Sequence, residues 1–327
     1  MINFDFLKTK YFKILSKIFF WILILAIIAI LIGNLIGNWQ QLKEYKFSFN
    51  YGYLLISFIL FVATMIFQPI IWNRILRLLS PEIELSYLKS IEIYMYSWFA
   101  KYLPGKAWMF VGRVYLGNKQ GLDNKKLTIS TLYEIILSIL AAIIFSIITL
   151  SVALKSSFLD FYRFDLYLIS ILIIIGSLIF IHPRIFYFFA KLILKKFNQL
   201  DISKQHFLKY ANVLEILFEY LIFSAINSMA FFFLVISIAD FPFDGIIGLS
   251  GAYIFSSLVG ILVIFSPSGL GVKESVLTVF LQPYFPLSVA ILISLLSRVW
   301  TTLGEILTLA IVFIFVKFKK HWIKYLS

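Results

Sequence analysis

Ser294, Arg298, Thr301, Thr302 and Glu305 are spaced i, i+4, i+7, i+8 and i+11, which puts them on one face of a helix. Their neighbours are apolar. A charge near the centre of an apolar membrane segment costs about 2.5–3.5 kcal/mol, so such groups face a bundle interior and mark a pathway. Arg298 and Glu305 can therefore bind a charged headgroup or simply lock two helices together. Glu134, with Ser130 and Ser138 one turn away on each side, forms a second polar stripe. It lies near the cytoplasmic end of its segment, where it either lines an interior or snorkels to the interface. Glu215 and Glu219 share a third face with Asn212, just after a basic loop. Solvation or pairing with the neighbouring lysines is expected there.

Two breaks interrupt apolar stretches, Tyr102-Leu103-Pro104-Gly105-Lys106 and Ser266-Pro267-Ser268-Gly269-Leu270-Gly271. A helix that restarts after such a break presents unbonded N–H groups at its positive end, and such ends bind anions. Lys106 follows the first break, Lys273 the second, and Arg113 lies two turns into the helix after the first. If the two tips converge, Lys106, Arg113, Lys273 and Arg298 make a cationic site suited to a phosphate. Glu134, Glu274 and Glu305 would then balance charge or engage a cationic or sugar headgroup. Pro104, Gly105, Pro267, Gly269 and Gly271 would shape the turns. The plainer alternative is that Gly and Pro only make tight turns, with the lysines reaching an interface.

Soluble-enzyme chemistry finds little footing. Cysteine is absent, and His182, His206 and His321 are isolated. No HExxH, P-loop or GxSxG occurs. No catalytic residue, metal site or cofactor is expected. The outer loops are too short to carry the acidic catalytic loops of a lipid-linked glycosyltransferase.

The elements that position these residues follow from composition. The 327 residues are 61% hydrophobic, well above the apolar share of a soluble domain, with a mean hydropathy of +0.96. Runs of about 20 apolar residues, enough to cross a hydrocarbon core of about 30 Å, recur along the chain. The net charge of +13 sits in short clusters beside these runs, which fits attraction to an anionic leaflet better than nucleic-acid binding. Trp21, Trp39, Trp72 and Trp322 read as interface aromatics. The run from Ile18 to about Ile36 is too long for a signal-peptide core, so it reads as a retained first helix.

These features predict an all-α polytopic membrane protein, a single transmembrane domain over 1–327 with no soluble domain. Six transmembrane helices are expected near 18–38, 51–72, 128–153, 165–182, 211–238 and 288–316. Two broken regions, 85–118 and 246–284, make up the rest. Lysines ahead of the first helix, six basic residues within 182–210 and four in the tail put both termini in the cytoplasm. That orientation closes only if each broken region leaves by the face it came from, 85–118 from inside and 246–284 from outside. Two re-entrant hairpins of opposite orientation result, the pattern of inverted repeats in transporters. The alternative is two fully spanning hairpins and about ten crossings.

Lys101 to Trp108 followed by Gly112-Arg113-Val114, then Pro267 to Glu274, then Leu296 to Trp300 with Gly304-Glu305, resemble the lysylphosphatidylglycerol synthase transmembrane-region family. That family comprises flippase-like membrane proteins, including the membrane domain of the bacterial multiple peptide resistance factor. The resemblance covers essentially the whole chain. In that factor a cytosolic domain adds lysine to phosphatidylglycerol, whereas this sequence ends at Ser327, so the synthase activity is not expected to carry over. Ser268 and Lys273 stand where the family often has Gly and Arg, which keeps the charge but loses bidentate phosphate contact.

The resemblance implies a lipid flippase-like or lipid-binding protein of the cell membrane. Its ligand would be a phosphate-bearing lipid, aminoacylated or glycosylated, passing between the hairpins without nucleotide. The alternative is a non-transporting partner of a separately encoded glycosyltransferase or lipid synthase. A membrane phospholipid or glycolipid is thus the expected partner, with a membrane enzyme and self-association as further partners.

Overall fold

The fold is given by a computed structural model, in which residues 29–82, 85–102, 107–153, 163–188, 207–263 and 266–326 are described. Among them there is no strand. Helical residues 29–37 and Trp39–Glu44 lead into α1 (Tyr51–Leu79), and α2 (Tyr87–Trp98), α3 (Ala107–Asn118), α4 (Asn124–Ala153) and α5 (Arg163–Phe180) follow. The rest is α6 (Tyr210–Ile236), α7 (Ile246–Leu262), α8 (Val272–Leu281) and α9 (Leu287–Leu326).

Five helices among the described residues are long and apolar enough to cross a bilayer: α1, α4, α6, Phe243–Leu262 and Leu287–Phe318 of α9. The chain is a multi-pass helical membrane protein. Four of the five coincide with expected spans. The expected first span, 18–38, lies mostly outside the described residues. The span expected at 165–182 appears as α5, whose apolar stretch, Leu168–Phe180, is shorter than a full crossing.

The fifth helix is the first arm of the second broken region, so length alone would let α7 cross. Its packing sets where its end lies relative to its neighbours. Gly248 and Gly251 of α7 lie against Thr149, Leu150 and Ala153 at the end of α4. Ser257 and Ile261 share a cavity wall with Ile135 and Ser138 of α4. The two helices are therefore antiparallel, and α7 stops beside Glu134, roughly 15 Å along α4 from its start. The chain then returns through α8. Tyr284 comes back against Gly248, and the Phe241 ring meets those of Tyr284 and Phe285 at 5.3 and 5.5 Å. The two outer ends of this hairpin thus meet each other.

The first broken region forms a similar unit. At 12 residues each, α2 and α3 are about 18 Å long, well short of a hydrocarbon core. Their outer ends meet the neighbouring spans, where Asn73 Nδ2 donates to the Leu85 carbonyl at 3.1 Å and Gly117 packs under Leu127. The tip residues Phe99–Tyr102 pack against the tip of the other hairpin, Pro267–Gly269.

Aromatic packing surrounds this junction. Trp300 contacts Phe61 at 4.7 Å and Tyr253 at 6.3 Å, and Tyr253 stacks on Phe231 at 4.3 Å. Gly304 leaves the space that the Phe61 ring occupies. A second core pairs Tyr133 with Phe186, ring centroids 4.1 Å apart.

Candidate functional site

Between the hairpin tips and α1, α4, α6, α7 and α9 lies a cavity of about 250 Å³. That is near the lower end of ligand-site volumes, enough for a headgroup but not a whole lipid. Four formally charged side chains line it besides Glu134: Lys101, Lys273, Arg298 and Glu305. The last helix delivers Arg298, Thr301 and Glu305 from the face that the spacing defined. Ser294 bonds to Thr278 of α8 at 2.8 Å, and Thr302 donates to the Arg298 carbonyl of its own helix at 2.9 Å.

Glu305 is 4% exposed and ties the last helix to the first hairpin tip. It pairs with Lys101 and accepts a 2.8 Å hydrogen bond from the Tyr102 hydroxyl. The Lys101 ammonium also sits over the faces of Trp98 and Tyr102, at 4.5 and 5.1 Å. Arg298 ties the same helix to the other tip. Its Nη1 donates to the Ser268 carbonyl at 2.9 Å and lies 3.7 Å from Glu274 Oε1.

The second tip owes its shape to backbone that only small residues tolerate. Gly269 and Gly271 have φ of 69° and 81°. A Cβ on Gly269 would also fall 2.7 Å from the Gly260 carbonyl oxygen, so α7 and the turn meet backbone to backbone. Glu274 Oε2 accepts from the Gly271 N–H at 2.7 Å, which fixes the start of α8. Lys273 points the other way, its ammonium 4.3 Å from the centre of the Tyr253 ring.

Arg113 and Glu134 form a separate unit. Arg113 is fully buried and pairs with Glu134. The Tyr94 hydroxyl donates to the other Glu134 oxygen at 2.6 Å, and the guanidinium lies 3.7 Å from the centre of the Tyr94 ring. Arg113 is not among the groups facing the cavity, so the expectation that it meets a ligand phosphate has no counterpart in the geometry. Glu134 is buried in this network and does not snorkel. Lys106, Pro104 and Gly105 lie outside the described residues, and the Pro267 side chain is not described. Glu215 and Glu219 pair with Arg74 of α1, on the neighbouring helix.

Several lining residues were not singled out from the sequence. Lys101 and Tyr102 sit inside the first motif, where Lys106 is the lysine that follows the break. Thr64 and Gln68 of α1 and Ser224 and Asn227 of α6 also line the cavity. Gln68 and Asn227, amides in apolar spans, carried the same signal as the charged residues. Gln68 precedes Pro69, whose missing N–H frees the Met65 carbonyl one turn back.

The sequence profile of the lysylphosphatidylglycerol synthase TM region family matches residues 13–309. The chain belongs to that family. Among curated proteins, none matches it.

Proposed function

From membership of a family tied to membrane lipid function, we propose that this chain carries or holds the headgroup of a phosphate-bearing lipid in the cavity between its hairpin tips. The observation that carries the reading is the meeting of two hairpin tips and the last helix around Lys101, Lys273 and Arg298. Buried cations of this kind attract a phosphate and exclude an uncharged solute. Ile261 supports a lipid ligand in particular, because it is an apolar side chain that lines the cavity and is 56% exposed. A headgroup can enter there while its acyl chains stay in the bilayer.

In this reading the protein resides in the cell membrane with both termini in the cytoplasm. Six helices span the bilayer, and α2–α3 and α7–α8 are re-entrant hairpins dipping from opposite faces. Broken helices meeting at mid-depth are the usual architecture of a carrier site. No bond is made or broken, and movement is passive or ion-coupled. Lys101 and Glu305 act as a latch between the first tip and α9, releasing when a phosphate competes for the ammonium.

Reconstituted protein should accelerate transbilayer exchange of a labelled anionic phospholipid. Glu305→Gln, which removes the latch charge, should change that rate by about tenfold, the worth of one charged hydrogen bond. Exchange no faster than in protein-free vesicles, with a stoichiometric lipid enzyme co-purifying, would replace this reading with that of a non-transporting partner.

A further inference from the structure

Where the hairpin tips meet the last helix, three cations, Lys101, Lys273 and Arg298, gather around two carboxylates, Glu274 and Glu305. Lys101 has Glu305 to balance it, and Tyr102 donates to the same carboxylate. Arg298 donates to the Ser268 carbonyl and lies 3.7 Å from Glu274 Oε1, which is buried and accepts no hydrogen bond. Lys273 is the third cation. Its ammonium lies 4.3 Å from the centre of the Tyr253 ring, and among the described residues no carboxylate oxygen is within ion-pair distance of it. Its chain neighbour Glu274 turns Oε2 to the Gly271 N–H and Oε1 toward Arg298. From α4 comes Glu134, already bonded by Arg113 and Tyr94, while α1 and α6 bring only uncharged groups to the cavity wall.

A charge without a counter-charge is costly away from water, and a group able to neutralise itself does so. The guanidinium of Arg298 cannot lose its proton, whereas a lysine amine can. Lys273 is therefore the group on which the charge of the whole cluster is adjusted. With no anion beside it, releasing one proton leaves two cations against two carboxylates. With a monoanion beside it, keeping that proton leaves three cations against three anions. The cluster is neutral in both states, and the difference between them is one anion and one proton.

Resting on the lipid-handling reading, we propose that the protein carries one proton with each phosphodiester anion it moves, and that the Lys273 amine is the proton carrier. The amine takes a proton from water as the phosphate enters and returns it to water when the phosphate leaves. Proton and anion then strengthen each other's binding by the same factor. Because the loaded and unloaded clusters are both neutral, a pH gradient drives the movement toward the alkaline face and a membrane potential does not.

The test uses the full chain in phosphatidylcholine vesicles with a trace of phosphatidylglycerol labelled on an acyl chain, and dithionite bleaching reads the share in the outer leaflet. With the outside one pH unit more acidic and the potential clamped at zero by valinomycin and equal potassium, the label should gather in the inner leaflet to about ten times its outer level, the ratio for one proton per anion. It should do so faster than in protein-free vesicles. A potassium potential at equal pH should leave the leaflets even. Lys273→Arg, which keeps the charge but holds its proton, should still exchange the lipid, follow the potential and ignore the pH gradient. Exchange by the unaltered protein that follows the potential and ignores the pH gradient would overturn the coupling and leave lipid handling intact. A Lys273→Arg protein that still answers to the pH gradient would overturn the choice of carrier. Exchange by the unaltered protein at the protein-free rate would sink lipid handling and coupling together.

Discussion

Arg113 is among the largest side chains that the fold seals completely, and it is sealed with one partner carboxylate and two aromatic faces. Its position reads from sequence as a ligand cation, because an arginine two turns into a helix after a Pro-Gly break looks available. What the sequence does not display is its pairing with Glu134, 21 residues away and brought beside it by the packing of α3 on α4. Removing one member of such a pair strands the other charge. Arg113→Ala should destabilise the protein by about 3–5 kcal/mol, measured by unfolding in detergent. The double change Arg113→Met with Glu134→Met should recover most of that loss. A single variant as stable as the parent would show that the pair is not the buried anchor described above. The last helix was more legible: Arg298 and Glu305 stand out as charges in an apolar run, and both reach the cavity. Lys101 was not, since three cations cluster near the first break and the pairing that distinguishes it lies with Glu305, 204 residues on.

At the scale of elements, the hairpins depend on how closely their backbones approach. Gly269 and Gly121 both have positive φ, 69° and 81°, but a Cβ on Gly121 meets open space whereas one on Gly269 meets the Gly260 backbone. Gly121→Ala should cost about 1–2 kcal/mol, the strain of a left-handed residue. Gly269→Ala should cost more than Gly121→Ala by at least about 1 kcal/mol, because backbone on both sides must part. Equal losses would mean that the α7–turn contact is loose. The breaks themselves were visible as Pro and Gly within apolar runs. The length of α7 was less so, since a 17-residue apolar helix reads the same whether it stops at mid-depth or crosses. In the reading proposed above, its antiparallel packing on α4 and the return of Tyr284 to Gly248 support the mid-depth stop.

For the molecule as a whole, the central claim is that both tips lie inside the membrane, having come from opposite faces. Class and family were readable from composition and three ordered motifs, because bilayer solvation imposes long apolar helices whatever the function. Depth was not, since charge bias fixes which face a loop is on but not how far a hairpin reaches. The absence of native cysteine makes the measurement direct. Single cysteines at Tyr102, Ser268, Lys119 and Asp244 can be treated in cells and in inverted vesicles with a membrane-impermeant maleimide. Lys119→Cys should react only from the cytoplasmic face and Asp244→Cys only from the outer face, while Tyr102→Cys and Ser268→Cys react slowly from either. Full reaction of Tyr102→Cys from outside and of Ser268→Cys from the cytoplasm would contradict the account, because both tips would then stand in water beyond the bilayer.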